Sequence, residues 1–238
     1  MTTDADELHG IGGRGTLRQI ARHEVGHALM LWLLEQHLTR VMVSEEGGVT
    51  QFSSVGGHSR LSPGEQLMFL LAGMVMSSNR DVLFDLREHV DTPDYFDPRT
   101  DSYYAAKMAR CFNVPPGAAL IRHEMVMSRL RRRFGKPYNE LLNMVLEKDG
   151  HFLDARELYE LEGRWDREYG FTLRPKSDLV MRAMARECGI EVPRCKWLGW
   201  DMKPLASWKY RRPTLLETVL GDMNDIGRHG NIPGEGQQ

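Results

Sequence analysis

Residues 16–36 read TLRQIARHEVGHALMLWLLEQ, and both the fold and the chemistry of this chain turn on them. Thr16 with Gln19 three positions on has the form of a capping box, which predicts a helix opening at residue 16 and running to about Gln36. Its apolar residues, Ile20, Ala21, Ala28, Leu29, Leu31, Trp32, Leu33 and Leu34, fall on more than one side, so the helix is expected to be largely buried. Inside it stands His23-Glu24-Val25-Gly26-His27, an H-E-x-x-H pattern. Positions i and i+4 share a helix face one turn apart, so His23 and His27 can aim two imidazoles at one ion. Glu24, offset by one residue, is near that ion yet free to act on a water as general base. Two imidazoles and a carboxylate in an apolar helix need a partner for every polar atom, and one Zn2+ ion meets much of that need. Zinc is therefore the expected cofactor. A second His-Glu pair, His123-Glu124, meets Met127 where another histidine is required and reads as an exposed helix face.

Outward from that helix, Thr39–Ser44 and Val49–Ser54, separated by Glu45-Glu46-Gly47-Gly48, predict a β-hairpin or two neighbouring strands. Ser62-Pro63-x-Glu65 predicts the start of a second buried helix, with Leu67–Met76 as its body. The acidic stretch 81–98, DVLFDLREHVDTPDYFDP, is broken by turn signals and is expected to wrap the surface with only local structure. Helical patterns then return in TDSYYAAKMARCF, PGAALIRHEMVMSRLRRRF, PYNELLNMVLEKDG and LDARELYELEG. The expected class is mainly α, a helical bundle with a small hairpin or short sheet. Residues 1–15 read as a flexible lead-in; Gly10, Gly12 and Gly15 satisfy G-x-G-x-x-G, but no strand precedes them as a dinucleotide site requires. Residues 164–226 read as an extension packing on the core, and 227–238 as a disordered tail. The Met74–Met76 and Met125–Met127 runs read as adaptable core.

Composition narrows the function classes. A formal net charge of -2 over 238 residues provides no overall attraction to nucleic acid. Cations and aromatics interleave at Lys196-Trp197-Leu198-Gly199-Trp200 and Trp208-Lys209-Tyr210-Arg211-Arg212; rings packed back on the core are the expected arrangement, with no nucleic-acid partner. Cys111, Cys188 and Cys195 match neither a disulfide framework nor a paired zinc ribbon, which points to reduced thiols and a cytoplasmic setting. The N-terminus lacks the basic and apolar regions of a secretory signal. The longest apolar run, Leu67–Met76, is about half of the ~20 residues a spanning helix needs, so no transmembrane segment is expected.

A catalytic zinc takes three protein ligands and keeps one position open. The metzincin pattern is excluded, because Met30 and Leu33 stand where it needs glycine and histidine. For the third ligand, spacing leaves His58, Glu65, His89, Asp81, Asp85, Asp91, Asp94, Asp97 and Asp101 open.

The segments Ala21–Leu29, Val41-Met42-Val43, Gly48-Val49-Thr50, Glu65–Ser78, Arg99-Thr100-Asp101-Ser102 and Ala105–Ala109, with Tyr138–Leu142 and Leu153–Leu158, follow one another in a familiar order. Over about residues 17 to 163 the chain resembles the peptidase domain of the FtsH-type ATP-dependent zinc metalloproteases. That resemblance implies a zinc peptidase domain over 16–163 with Asp101 as third ligand at a helix start, where a carboxylate is also electrostatically favoured; Asp97 is the reserve. It also implies a polypeptide substrate; an extended one is expected to add as a strand beside Gly48, Val49, Thr50 and Gln51, which would select unfolded segments over a particular side chain. Ala72-Gly73-Met74-Val75-Met76-Ser77 replaces the family's Gly-Gly-Arg-Ala-Ala-Glu stretch. No G-x-x-x-x-G-K-[ST] occurs, so an endopeptidase without its own ATPase is expected, served by a separate ATPase or a homo-oligomer. The alternative is an inactive, zinc-stabilised scaffold or regulator of a larger protease assembly.

Overall fold

The computed structural model describes residues 16–53, 61–112, 114–171 and 176–188. Within them the chain is mainly helical, with one three-stranded antiparallel sheet. Expectations that fall on 1–15, His58, Cys195, the aromatic and basic stretch 196–212 and the tail 227–238 lie outside the described residues.

Helix α1 (Leu17–Leu33) opens on the capping box: Thr16 accepts from the Gln19 backbone N–H, and the Gln19 side chain accepts in return from Thr16. It ends earlier than Gln36, at Leu33, because the chain turns through a left-handed Glu35 (φ 59°). From Val25 to Leu33 every residue is buried. An apolar surface on all sides demands neighbours on all sides, and α1 has them: the sheet, α2 (Pro63–Ser77) and α6 (Gly135–Glu147).

The strands β1 (His37–Ser44) and β2 (Gly47–Ser53) form the hairpin. Its turn is only Glu45-Glu46, since Ser44 already pairs with Gly47. β1 buries Val41 and Val43 in the alternation of a half-buried strand, and Leu38 falls out of step with them because the register shifts between Leu38 and Arg40. Its far edge pairs with β3 (Phe152–Asp154), giving the order β2-β1-β3. β3 corrects the sequence expectation, which starts a helix at Leu153: three residues carry no readable periodicity, and Leu153 is set opposite Val41 by long-range pairing. Asp154 then caps α7 (Ala155–Glu168).

α2 begins as expected, with Ser62 and Glu65 in a reciprocal capping box and Pro63 at its first position. The stretch expected to wrap the surface is a second correction, since Arg80–His89 forms α3. Asn79 caps it, and Leu83 and Leu86 are buried three residues apart among the acidic side chains that obscure the pattern. A 3-10 turn at Pro93–Tyr95 leads to α4 (Asp101–Ala109) and α5 (Pro116–Arg133). His123 and Glu124 of α5 are buried, not on an exposed face: Glu124 is held by Arg87 of α3, and His123 Nδ1 donates to the Ala119 carbonyl (2.7 Å). Met74, Met76 and Met127 are core, whereas Met125 is exposed.

The boundary expected after residue 163 falls inside α7, which runs on to Glu168. α8 (Lys176–Cys188) buries Val180 and Met184 and packs on α5, with Glu187 paired to Arg129. Lys176 bonds Asp166 (3.0 Å) and lies over the Trp32 ring, and the Trp32 indole donates to Asp166 (2.9 Å). No helix among the described residues is long and apolar enough to cross a membrane.

Candidate metal centre

Three side chains from two elements far apart in sequence meet at one point. His23 Nε2 lies 2.8 Å from Asp101 Oδ2, His27 Nε2 lies 2.9 Å from the same oxygen, and the two Nε2 atoms are 3.0 Å apart. The histidines share a face of α1, and Asp101 is the first residue of α4, capped by Thr100. Among the described residues, only these His, Cys, Asp or Glu side chains converge closely enough to hold an ion.

The chemistry of this donor set fits a metal. His27 Nδ1 is 2.9 Å from the Phe69 carbonyl oxygen, which only accepts, so Nδ1 carries a proton. In neutral His27 the Nε2 lone pair therefore points at the Asp101 carboxylate and at His23. Two lone-pair atoms held 2.9 Å apart need a proton or a metal ion between them. A ring N–H tied back to a backbone carbonyl is also how a ligating histidine is oriented. Ligands on a tetrahedral zinc, bonded at about 2.0–2.1 Å, lie about 3.3 Å from one another. The observed triangle is within a few tenths of an ångström of that spread.

In the metal-free protein a proton bridges these atoms, and a metal ion would take its place by displacing it from His27. Burial alone lowers the His27 pKa, but the Asp101 charge and hydrogen bond, with help from Glu24 and the Phe69 carbonyl, bring it to about 9. Burial likewise disfavours the Asp101 carboxylate, yet the two histidines hold its pKa far below the usual range. A negative charge is thus stabilised beside two imidazoles, inside the protein, at neutral pH.

The competing third ligands sit elsewhere. Asp97 bonds Arg99 (2.7 Å), which lowers its pKa to about 2. His89 stacks on Tyr95 and faces Asp85. Glu65 is consumed in capping α2, and burial raises its pKa. Asp81, on the first turn of α3, and Asp91 and Asp94, in the stretch after it, do not converge with the histidines.

Glycines make the room. A Cβ on Gly73 of α2 would lie 2.4 Å from His23 Cε1 and 2.6 Å from both ring nitrogens, so the imidazole rests on bare backbone. A Cβ on Gly26 would meet the Ala72 carbonyl oxygen at 2.6 Å, so Gly26 sets the approach of α1 to α2. A Cβ on Gly48 would lie 2.4 Å from Glu24 Cγ. An isolated glycine inside a helical pattern is the sequence signal for such an approach, but nothing local says what approaches. The Phe69 carbonyl left no signal at all, being backbone.

Of the strand residues expected to bind substrate, Gly48, Val49, Thr50 and Gln51 all lie on β2, an edge strand of the described sheet. Thr50 turns its side chain inward, its hydroxyl 2.8 Å from Glu24 Oε2 and 3.0 Å from the Glu24 carbonyl oxygen. Glu24 itself is buried beside the histidines. The Tyr138 hydroxyl of α6 donates to the Arg22 carbonyl (3.0 Å), bracing α1 one residue before the motif. Comparison with protein-family models, with curated proteins and with solved structures found no match to this chain.

Proposed function

We propose that this chain is a zinc-dependent endopeptidase of FtsH-like type that cuts unfolded or flexible polypeptide segments. The observation that carries this reading is the convergence of His23, His27 and Asp101 on one point, with Glu24 from the same helix turn beside them. Two imidazoles and one carboxylate are a donor set of the catalytic zinc kind, with a position left for water. Zinc, when bound, supplies a Lewis acid that lowers the pKa of water and polarises the scissile carbonyl.

The chain's own residues do the rest. Glu24 accepts a proton from the attacking water as the water oxygen bonds to the carbonyl carbon. It returns that proton to the amine nitrogen as the carbon–nitrogen bond breaks. The outer edge of β2, from Gly48 to Gln51, offers backbone groups to an extended peptide, which selects for unfolded segments over any one side chain. Burial of His27 and Glu24 limits bulk water around the reacting atoms.

The test is metal content by elemental analysis on wild type, Asp101→Ala and Glu24→Gln, with casein cleavage on the same samples. The expected result is about one zinc per chain in wild type, little in Asp101→Ala, and full zinc in Glu24→Gln with cleavage down at least about a hundred-fold. Zinc without cleavage in wild type converts the reading to a zinc-stabilised scaffold. No zinc after metal addition removes it.

A further inference from the structure

We infer that Thr50 is a positioning residue for Glu24, pinning one carboxylate oxygen so that the other stays open to the water proton. The catalytic part of this inference rests on the peptidase reading above; the contact itself does not.

Thr50 Oγ1 has one proton and two acceptors in reach, Glu24 Oε2 at 2.8 Å and the Glu24 carbonyl oxygen at 3.0 Å. The carboxylate is the nearer and carries the charge, so it receives the hydrogen bond. Oε1 accepts no hydrogen bond from the described residues. It lies toward Gly48, where a Cβ would stand 3.0 Å from it and 2.4 Å from Cγ. The carboxylate is therefore laid against the β2 backbone, tied at one oxygen by Thr50 and without a described hydrogen-bond donor at the other, and it fits there because residue 48 has no side chain.

This arrangement assigns the two oxygens different tasks. Oε1 takes the water proton and passes it to the leaving amine, while Oε2 keeps its bond from Thr50 throughout and no covalent bond at Thr50 changes. Because Thr50 sits opposite Val41 in the β1–β2 register, the base is tied to that register. A one-residue slip of β2 would turn the hydroxyl to the other face of the sheet. Strand β2 thus serves two purposes: its outer edge, unpaired among the described residues, takes the peptide, and its inner face orients the base. Thr50 belongs to the second, and a substrate strand meets only its backbone.

Thr50→Val removes the hydroxyl and keeps the branched shape, and Thr50→Ser keeps the hydroxyl. With zinc-loaded proteins and a peptide substrate, Thr50→Val lowers kcat about ten- to a hundred-fold with KM and zinc content as in wild type, and Thr50→Ser recovers kcat to within about threefold. Independently of hydrolysis, urea unfolding of wild type, Thr50→Val, Glu24→Ala and the double variant reads the contact: the combined effect departs from the product of the single effects by about tenfold in the unfolding equilibrium. A Thr50→Val protein that raises KM at unchanged kcat makes Thr50 a substrate contact and overturns the inference, as does a Thr50→Ser protein as slow as Thr50→Val. If wild type cuts and the unfolding effects are independent, the Thr50 inference alone fails. If zinc-loaded wild type cuts nothing, the peptidase reading fails and takes the catalytic part with it, while the cycle still decides the contact.

Discussion

Alanine at Gly73 puts a methyl group where the His23 imidazole now rests. The added carbon would lie 2.4 Å from Cε1 and 2.6 Å from each ring nitrogen, more than 1 Å inside the roughly 3.5–4.0 Å at which such atoms normally meet. The backbone of α2 is packed against α1 and has little room to give, but the ring is the far end of a flexible side chain that is 15% exposed. The ring therefore swings outward. Two consequences differ in size. In the metal-free protein the substitution exchanges a mid-helix glycine for alanine, which favours α2 by up to ~1 kcal/mol, and breaks the His23–Asp101 contact, which costs about as much, so stability changes little. On the proposed zinc reading the ion would lose one of three ligands, and since loss of an outer partner alone weakens metal sites about 10–100-fold, affinity should fall at least about a hundred-fold. Urea unfolding of the metal-free protein and zinc competition against a chromophoric chelator measure the two separately. Gly73→Ala combined with His23→Ala should bind zinc no worse than His23→Ala alone. An affinity for zinc within about threefold of wild type would refute the claim that His23 reaches the ion only over bare backbone.

Gly26→Ala behaves differently, because its Cβ would meet the Ala72 carbonyl oxygen at 2.6 Å and Met76 Cβ at 2.9 Å, neither of which can swing away. The two helices must part, so net stability falls by ~1–3 kcal/mol, read as a lower urea midpoint at unchanged slope. His123 makes the protein acid-sensitive. Burial, with the Arg122 charge, brings its pKa from 6.5 down to about 4 against the pull of the Ala119 carbonyl. Its folded pKa lies below its unfolded one, so its contribution is whole above pH 6.5. It declines as the unfolded chain takes up a proton between 6.5 and about 4, by as much as ~3 kcal/mol. His123→Gln should flatten the stability curve over that window relative to wild type, and parallel curves would show that His123 is not the group responsible.

Much of the site was legible before any tertiary contact was known. The capping boxes at Thr16 and Ser62 are purely local, three-residue reciprocal bonds, and both form as read. The pairing of His23 with His27 follows from helix geometry alone, since i and i+4 share a face whatever surrounds them. The burial of α1 follows from apolar residues on all its sides. Local pattern failed where its signal was masked or too short: the acidic residues of α3 hid Leu83 and Leu86, β3 is three residues long, and His123-Glu124 looked like a surface pair because their partners, Phe112 and Gly64 for His123 and Arg87 for Glu124, lie outside α5.

What only the tertiary structure decided is which distant groups meet. Spacing left nine candidates beside the histidines, family resemblance favoured Asp101, and the packing of α4 against α2 brings its carboxylate within 2.9 Å of both imidazoles across more than 70 residues of chain. The tasks of Gly26, Gly48 and Gly73, the Phe69 carbonyl that sets the His27 tautomer, and the inward turn of Thr50 onto Glu24 are likewise matters of contact. The physical reason is one of range. Capping and helix periodicity act within a turn and are written in neighbouring residues, whereas convergence of donors depends on how close two backbones can come.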